Sequence, residues 1–175
     1  MGGVIIRAAP LDKVQAFMIN SMNLVAFRRR MKLSTKARYG TRALLNIACR
    51  QGKGPVLLKD VALQEQIPEQ YLEQVMAPLR IAGLLKTLRG TGGGFVLGKS
   101  PSEVNLNDVV QILEGSLSLV DCVEKPEACP RSGCCVARDL WQEMGNAMKG
   151  VLESITLQDL IDRRGEKNQS SMYNI

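Results

Sequence analysis

From Ser34 onward the apolar positions repeat with a helical period. Tyr39, Ala43 and Ile47 recur every fourth residue, with Leu44 and Ala48 beside them, while Lys36, Arg38 and Arg42 lie off this stripe. Gly52 and Gly54-Pro55 end the helix. A short second helix fits 59–66, carrying Val61, Ala62 and Glu65. Ile67-Pro68 breaks the chain, and Pro68 suits the first turn of a third helix over roughly 69–82. That helix turns Leu72, Val75, Met76 and Leu79 inward and leaves Gln70, Tyr71, Glu73 and Gln74 near its start, partly on the outer face. Pro78 inside it predicts a kink or a loosened last turn. A short helix, a tight turn and a helix with a polar N-terminal end predict a helix–turn–helix. The first residues of its second helix are the ones that reach base edges in the major groove.

Two short β-type runs follow, LLKTLRG (84–90) and GFVLG (94–98), joined by the glycine-rich stretch Gly90-Thr91-Gly92-Gly93-Gly94. This predicts a β hairpin, and a hairpin directly after a helix–turn–helix is a wing. Arg89 at its tip suits the minor groove, where cations meet enhanced negative potential. The string GGFVLGKS (93–100) also fits the phosphate-cradling loop of nucleotide hydrolases. In such a loop the Gly-Lys-Ser triplet opens a helix. Here Phe95, Val96 and Leu97 are strand formers, and Pro101 biases Ser100 away from helical dihedrals, so the stretch is read as half of the wing.

In the second half Asn105–Asp108 resembles a helix cap, and Leu106, Val109, Val110 and Leu113 form a core stripe that Gly115 ends. A long helix over 136–154 follows a cysteine-rich loop. Ala137, Trp141, Met144, Met148, Val151 and Ile155 are spaced as an a/d seam, widened by Leu140 and Leu152. Gly145 and Gly150 weaken this helix, so it needs a partner surface, and it is read as a dimerisation helix in preference to one lying on its own domain. Thr156-Leu-Gln-Asp159 caps a last short helix through about Arg163, with 165–175 expected as a disordered tail. Residues 1–30 lack the order of a secretory signal, because Arg28–Arg30 follow the apolar stretch. They are read as an extension arising from an upstream start choice, with translation beginning at Met31.

Charge adds to this picture. The net charge is +6, yet residues 28–99 carry 14 Lys/Arg against 4 Asp/Glu, while 100–175 carry 7 against 12. A basic half beside an acidic half is the footprint of a polyanion binder with a separate second element. No apolar run approaches the ~18 residues of a membrane span. The absence of any His removes the usual general base and the commonest metal ligand, which argues against an enzyme. Without a secretory signal the cysteines are expected in a reducing cytoplasm, where metal or redox roles outrank structural disulfides.

Cys122, Cys129, Cys134 and Cys135 fall in a Pro/Gly loop and make up four of the five cysteines. Thiolates suit soft metals and iron–sulfur clusters. The spacing is neither the paired arrangement of a zinc ribbon nor a ferredoxin run. A disulfide or sulfenate thiol switch is the other reading. Cys49 lies beside the first helix's stripe and is expected to be a small buried residue.

Taken together, MKLSTKARYGTRALLNIA, LKDVALQEQIPEQYLEQVMAPLRIAGLLKTLRGTGGGFVLGK, the cysteine loop and ITLQDLID resemble the winged-helix Rrf2 family of transcriptional regulators over 31–164. The resemblance implies a mainly α fold with a small β hairpin: a winged helix–turn–helix over 31–100, a connecting helix over 101–121, a cluster-binding loop over 122–135 and dimerisation elements over 136–164. It implies a cytoplasmic homodimer that binds operator DNA, as a repressor, through Gln70, Tyr71, Glu73 and Arg89, with Lys36 on the phosphate backbone. It implies Cys122, Cys129 and Cys135 as ligands of a 4Fe–4S or 2Fe–2S cluster, which would report cluster status, redox state, oxygen or nitric oxide. Several members complete the cluster with a His three residues after the last Cys, or with a carboxylate early in the first helix. Here those positions are Arg138 and Arg38, neither of which ligates iron at neutral pH. The fourth ligand therefore stays open, with Cys134, Asp139, Glu127, a small thiol or water as candidates. Other members regulate cysteine metabolism without a cluster and act with a metabolic enzyme as partner.

Overall fold

The computed structural model describes residues 33–90 and 92–172; residues 1–32, with the expected extension and the Met31 start, Thr91 and residues 173–175 of the expected tail lie outside the described residues. Helix α1 (Thr35–Ala48) starts at Ser34, whose Oγ accepts the Ala37 N–H at 3.2 Å. A side-chain acceptor here satisfies an amide that the helix leaves without a partner. Ala37, Ala43, Leu44, Ile47 and Ala48 are buried, following the predicted stripe. Cys49 closes the helix half-buried, more exposed than its sequence position suggested.

Helices α2 (Leu58–Glu65) and α3 (Glu69–Ile81) make the helix–turn–helix. Gln66 occupies the turn with φ 53°, the one positive φ among the described non-glycine residues. The Ile67 N–H then donates to the Ala62 carbonyl at 2.9 Å, the bond that closes a Schellman cap. Pro68 stands just before α3 instead of inside its first turn. Leu72, Val75, Met76 and Leu79 are buried, and the helix runs through Pro78 to Ile81.

Strands β1 (Leu85–Leu88) and β2 (Gly94–Leu97) pair antiparallel, with Leu85 opposite Leu97 and Leu88 opposite Gly94. The wing gains a third edge that the sequence did not announce. Val56, buried in the loop before α2, exchanges both backbone bonds with Phe95, at 2.9 and 2.8 Å. Gly94 allows this approach, and Gly98 allows a second one at the start of β1. A β-carbon at Gly94 would lie 2.6 Å from the Val56 carbonyl oxygen, and one at Gly98 would overlap the Gly83 carbonyl.

Helix α4 (Leu106–Glu114) begins under an Asn105 cap and buries Leu106, Val109, Val110 and Leu113. The cysteine loop holds the one-turn helix α5 (Asp121–Glu124) and two 3-10 turns, Pro126–Ala128 and Ser132–Cys134. Helices α6 (Val136–Glu153) and α7 (Leu157–Met172) follow. Their corner is stitched to the start of α4: Leu106 N–H donates to the Ile155 carbonyl at 2.9 Å, and Leu157 N–H to the Val104 carbonyl at 2.8 Å.

One expectation is corrected. The last helix extends to Met172 instead of ending near Arg163, so residues 165–172 are helical. Nothing in that polar stretch breaks the backbone ladder, and the expectation rested on its place at the end of the chain. The apolar stripe of α6 is divided between the chain's own core and solvent. No residue of α6 is buried; Leu152, with Ile155 just beyond the helix, packs against the core, while Val136 at 81%, Val151 at 61%, Leu140 and Met148 face outward. The stitch at Ile155 pulls the Leu152 side toward the chain's own core.

Asp159 reciprocates at the α7 start: its Oδ2 accepts from the Thr156 N–H and hydroxyl, both at 2.7 Å, and its own N–H donates to Thr156 Oγ1 at 3.3 Å. The backbone bond first, then the hydroxyl, with help from Arg163, hold the Asp159 carboxyl below its ordinary 3.8. A depressed folded-state pKa contributes stability above the unfolded value and loses it as pH falls through the folded one. Wild type should therefore melt above Asp159→Asn at neutral pH, with the gap closing once the pH drops below the ordinary carboxylate value, as followed by thermal unfolding monitored by circular dichroism. Gly98→Ala should cost about 2 kcal/mol or more in urea titration, because only backbone movement relieves the overlap. Gly145→Ala, whose β-carbon meets open space, should instead gain about 1 kcal/mol of helix propensity.

Candidate nucleic-acid interface and cysteine loop

The first two turns of α3 present Gln70, Glu73 and Gln74 to solvent, at helical spacings that share one face. Amide and carboxylate side chains there have the donors and acceptors that read adenine and cytosine edges. Tyr71 stands apart from them. It is half-buried, and its ring meets Tyr39 of α1 edge-on, with centroids 5.9 Å apart and planes at 84°. The guanidinium groups of Arg38 and Arg42 lie 5.9 and 5.7 Å from the Tyr39 ring centroid. Tyr39 counted only as an apolar stripe position in the sequence, and nothing local marks its pairing with a residue on another helix.

Arg89 is exposed at the end of β1, just before Gly90 with φ 111°. Lys36 sits half-exposed in the first turn of α1, and Lys99 is exposed just after β2. The GGFVLGKS stretch is strand β2 with its flanks, and the Ser100 N–H already donates to Glu103 Oε2 at 3.0 Å. The amide that a phosphate loop would turn to its ligand is thus spent on a carboxylate.

Beneath this surface Glu65, at the end of α2, is only 8% exposed and gathers donors from three directions. Arg42 Nε reaches its Oε2 at 3.1 Å, and Arg42 Nη2 donates to its backbone carbonyl at 2.5 Å. Asn46 Nδ2 donates to Oε1 at 2.8 Å, and Arg164 of α7 approaches the same oxygen at 3.8 Å. Three of these contacts satisfy a carboxylate that would otherwise be costly to hide from water, and the fourth ties Arg42 to the backbone of the same residue.

In the cysteine loop Cys122 lies in α5, Cys129 follows the Pro126–Ala128 turn, Cys134 ends the next turn, and Cys135 caps α6. Cys134 is exposed and the others half-buried, and all are free thiols. Among the described residues no three His, Cys, Asp or Glu side chains form a ready metal-holding group. Cys122, Cys129 and Cys135 are therefore on one loop but not drawn to one centre. Arg138 has a different task from the ligand some family members place there. Its Nε donates to the Cys122 carbonyl at 2.8 Å and its Nη2 to the Val123 carbonyl at 3.3 Å, clamping the start of the loop to α6. No described helix is long and apolar enough to cross a membrane.

Comparison with known proteins gives a consistent picture. A family model described as "Rrf2: Iron-dependent Transcriptional regulator" matches residues 33–163. The HTH-type transcriptional regulator CymR of Bacillus subtilis is 39% identical over 145 residues, covering 83% of this chain and 100% of that protein. The solved structure of CymR (YrzC), the global cysteine regulator of B. subtilis, aligns with a TM-score of 0.65 at 40% identity, over 77% of this chain and 98% of that one. T. potens IscR aligns with a TM-score of 0.66 at 36% identity, over 78% and 90%.

Removing the Arg138 clamp with Arg138→Ala should loosen the α5 end of the loop. Alkylation of Cys122 by a maleimide, mapped by mass spectrometry, should speed up severalfold while that of Cys49 stays constant.

Proposed function

Because the chain belongs to the Rrf2 family of transcriptional regulators, we propose that it reads duplex operator DNA as a homodimer, acting as a repressor, and that its cysteine loop tunes that affinity. The observation that carries the DNA reading is the exposed Gln70–Glu73–Gln74 face at the start of α3, followed in the chain by the wing with its exposed Arg89. The recognition helix supplies base contacts in the major groove, with Tyr71 at its margin, and Arg89 enters the adjacent minor groove. Lys36 and Lys99 neutralise phosphates. The outward apolar stripe of α6, Val136, Leu140, Met148 and Val151, is the surface a second copy would cover. Two copies place two recognition helices on successive half-sites.

The donor chemistry of the loop fits an iron–sulfur cluster, since four thiols lie within one short, turn-rich segment. Cys122, Cys129 and Cys135 would hold it, with Cys134 a candidate for the open position. Such a cluster supplies a centre sensitive to oxygen, nitric oxide and redox state. The chain's own part is to anchor both ends of the loop: Arg138 fixes the Cys122 end, and Cys135 is continuous with α6. Any rearrangement between these anchors bears on α6 directly. It can shift DNA affinity only by the difference in interaction free energy between states.

A second reading is supported by the separated free thiols and by the exposure of Cys134. In it the loop is a cluster-free thiol switch, and the protein regulates cysteine metabolism together with a partner enzyme. The likeness to CymR, the global cysteine regulator of B. subtilis, favours this reading as much as the likeness to IscR favours the first.

Anaerobic purification with an absorption spectrum and iron and sulfide assays separates them. Visible absorbance with stoichiometric iron and sulfide supports the cluster. A colourless, iron-free protein whose DNA binding still responds to thiol oxidants ends the cluster reading, and a stoichiometric copurifying enzyme favours the second. For DNA, Arg89→Ala should cost about 1–3 kcal/mol and relax recognition, while Lys36→Ala should lower the salt slope by about one. Unchanged affinity and slope in both variants would exclude this mode of binding.

A further inference from the structure

Tyr71 is the one candidate reading residue whose side chain is engaged by the rest of the fold, and its contacts can be followed inward. Its ring abuts Tyr39 at 5.9 Å, and Tyr39 carries the Arg42 guanidinium 5.7 Å from its centroid. Arg42 in turn grips Glu65 at two points, the carboxylate at 3.1 Å and the backbone carbonyl at 2.5 Å. Glu65 immediately precedes Gln66, the left-handed residue that sets the turn between α2 and α3. The last member, Arg164, comes from α7, the helix joined to α6 by the short corner at residues 154–156, and stands 3.8 Å from the second Glu65 oxygen. The Tyr39–Arg42 contact lies within α1, and each of the other three links joins a different pair of helices: α3 to α1, α1 to α2, α2 to α7.

We propose that Arg42 is a positioning residue for DNA recognition, holding the reading face of α3 in register through Tyr39 and Tyr71, and that Arg164 couples this register to the C-terminal helix pair. The inference rests on the DNA-reading function proposed above. The planar guanidinium is suited to the task, because one flat group can donate along its edge to Glu65 while its face lies near an aromatic ring. Lysine keeps the charge but has neither the fork nor the plane. Glu65 makes the link stiff, since a nearly buried carboxylate holds its donors more firmly than an exposed one does. A displacement of α7 moves Arg164 away from or toward Glu65, and the Arg42 grip on the same carboxylate then changes its competition. Arg38, also beside the Tyr39 ring, makes no contact with Glu65 among those described, so it packs against the ring without joining the link.

The test uses the full chain and a duplex selected by the wild type from a random-sequence DNA library, with single-base-pair variants of that duplex and a scrambled duplex as probes. Affinities are measured over a range of salt for wild type, Arg42→Lys, Arg42→Ala and Arg164→Ala, with melting temperatures alongside. Arg42→Lys should lower discrimination between the selected and substituted duplexes about tenfold, with the salt slope and scrambled-duplex affinity unchanged. Arg164→Ala should lower it less, by about threefold, and blunt any change in discrimination caused by cysteine oxidation or cluster loss. A slope lower by about one with intact discrimination would make Arg42 a phosphate contact and overturn the proposal. Equal losses on selected and scrambled duplexes, or intact discrimination in all variants, would overturn it too. Should Arg42→Ala fail to fold, Arg42→Lys and Arg164→Ala still decide. If the wild type selects no sequence at all, the DNA reading itself fails, which is distinct from selection followed by unaltered variants.

Discussion

Two backbone hydrogen bonds, from Leu106 to the Ile155 carbonyl and from Leu157 to the Val104 carbonyl, hold the two halves of this chain in a defined relation. Val104 and Leu157 are almost entirely buried, so these bonds form away from water, where an unmade partner would be costly. They root the corner between α6 and α7 on the start of α4, and α4 packs against both α1 and α3. A long helix that buries none of its own residues is thereby mounted rigidly at its C-terminal end. From the same corner α7 runs back along α1, which is how Arg164 comes to meet Glu65. Without the stitch, a recognition surface and a cysteine loop would be two modules on one string. With it, they share a core.

The wing shows the same economy on a smaller scale. A two-stranded hairpin is marginal by itself in water. Here Val56 adds a short third edge, and Leu84 and Leu85 sink into the core below it. The constraint is steric: Gly94 lies against the Val56 carbonyl and Gly98 against that of Gly83, each where a side chain has no room.

Much of this was legible in the sequence because it is written in local patterns. The stripes of α1, α3 and α4, the glycine-flanked hairpin and the Thr156–Asp159 cap all depend on residues within a turn or two of each other. What escaped depends on neighbours brought from afar. Val56 is a single strand residue with no alternation around it. Gln66 adopts a conformation usually given to glycine. The Tyr39–Tyr71 and Arg164–Glu65 contacts join helices far apart in the chain. The division of the α6 stripe between core and solvent was hidden for the same reason, since helical spacing identifies an apolar face without saying which part of it the chain claims for itself. Of the candidate site, Gln70, Glu73 and Arg89 lie exposed as the pattern predicts, and the cysteines share the expected loop. The Arg138 clamp could be found only by seeing which carbonyls lie within its reach.

The pairing of Asn105 with Thr156 also has a bearing on the order of folding. It closes a loop of about fifty residues, and the entropic cost of bringing such distant ends together must be met before the stitch returns anything. The winged helix contains mostly nearer contacts and can assemble first. All four loop cysteines lie inside the late-closing segment. A cross-link among them, whether through a metal centre or a disulfide, shortens the free chain that remains to be closed. The chemistry of the loop thus bears on how readily the arm is mounted during synthesis, as well as on what the finished protein binds.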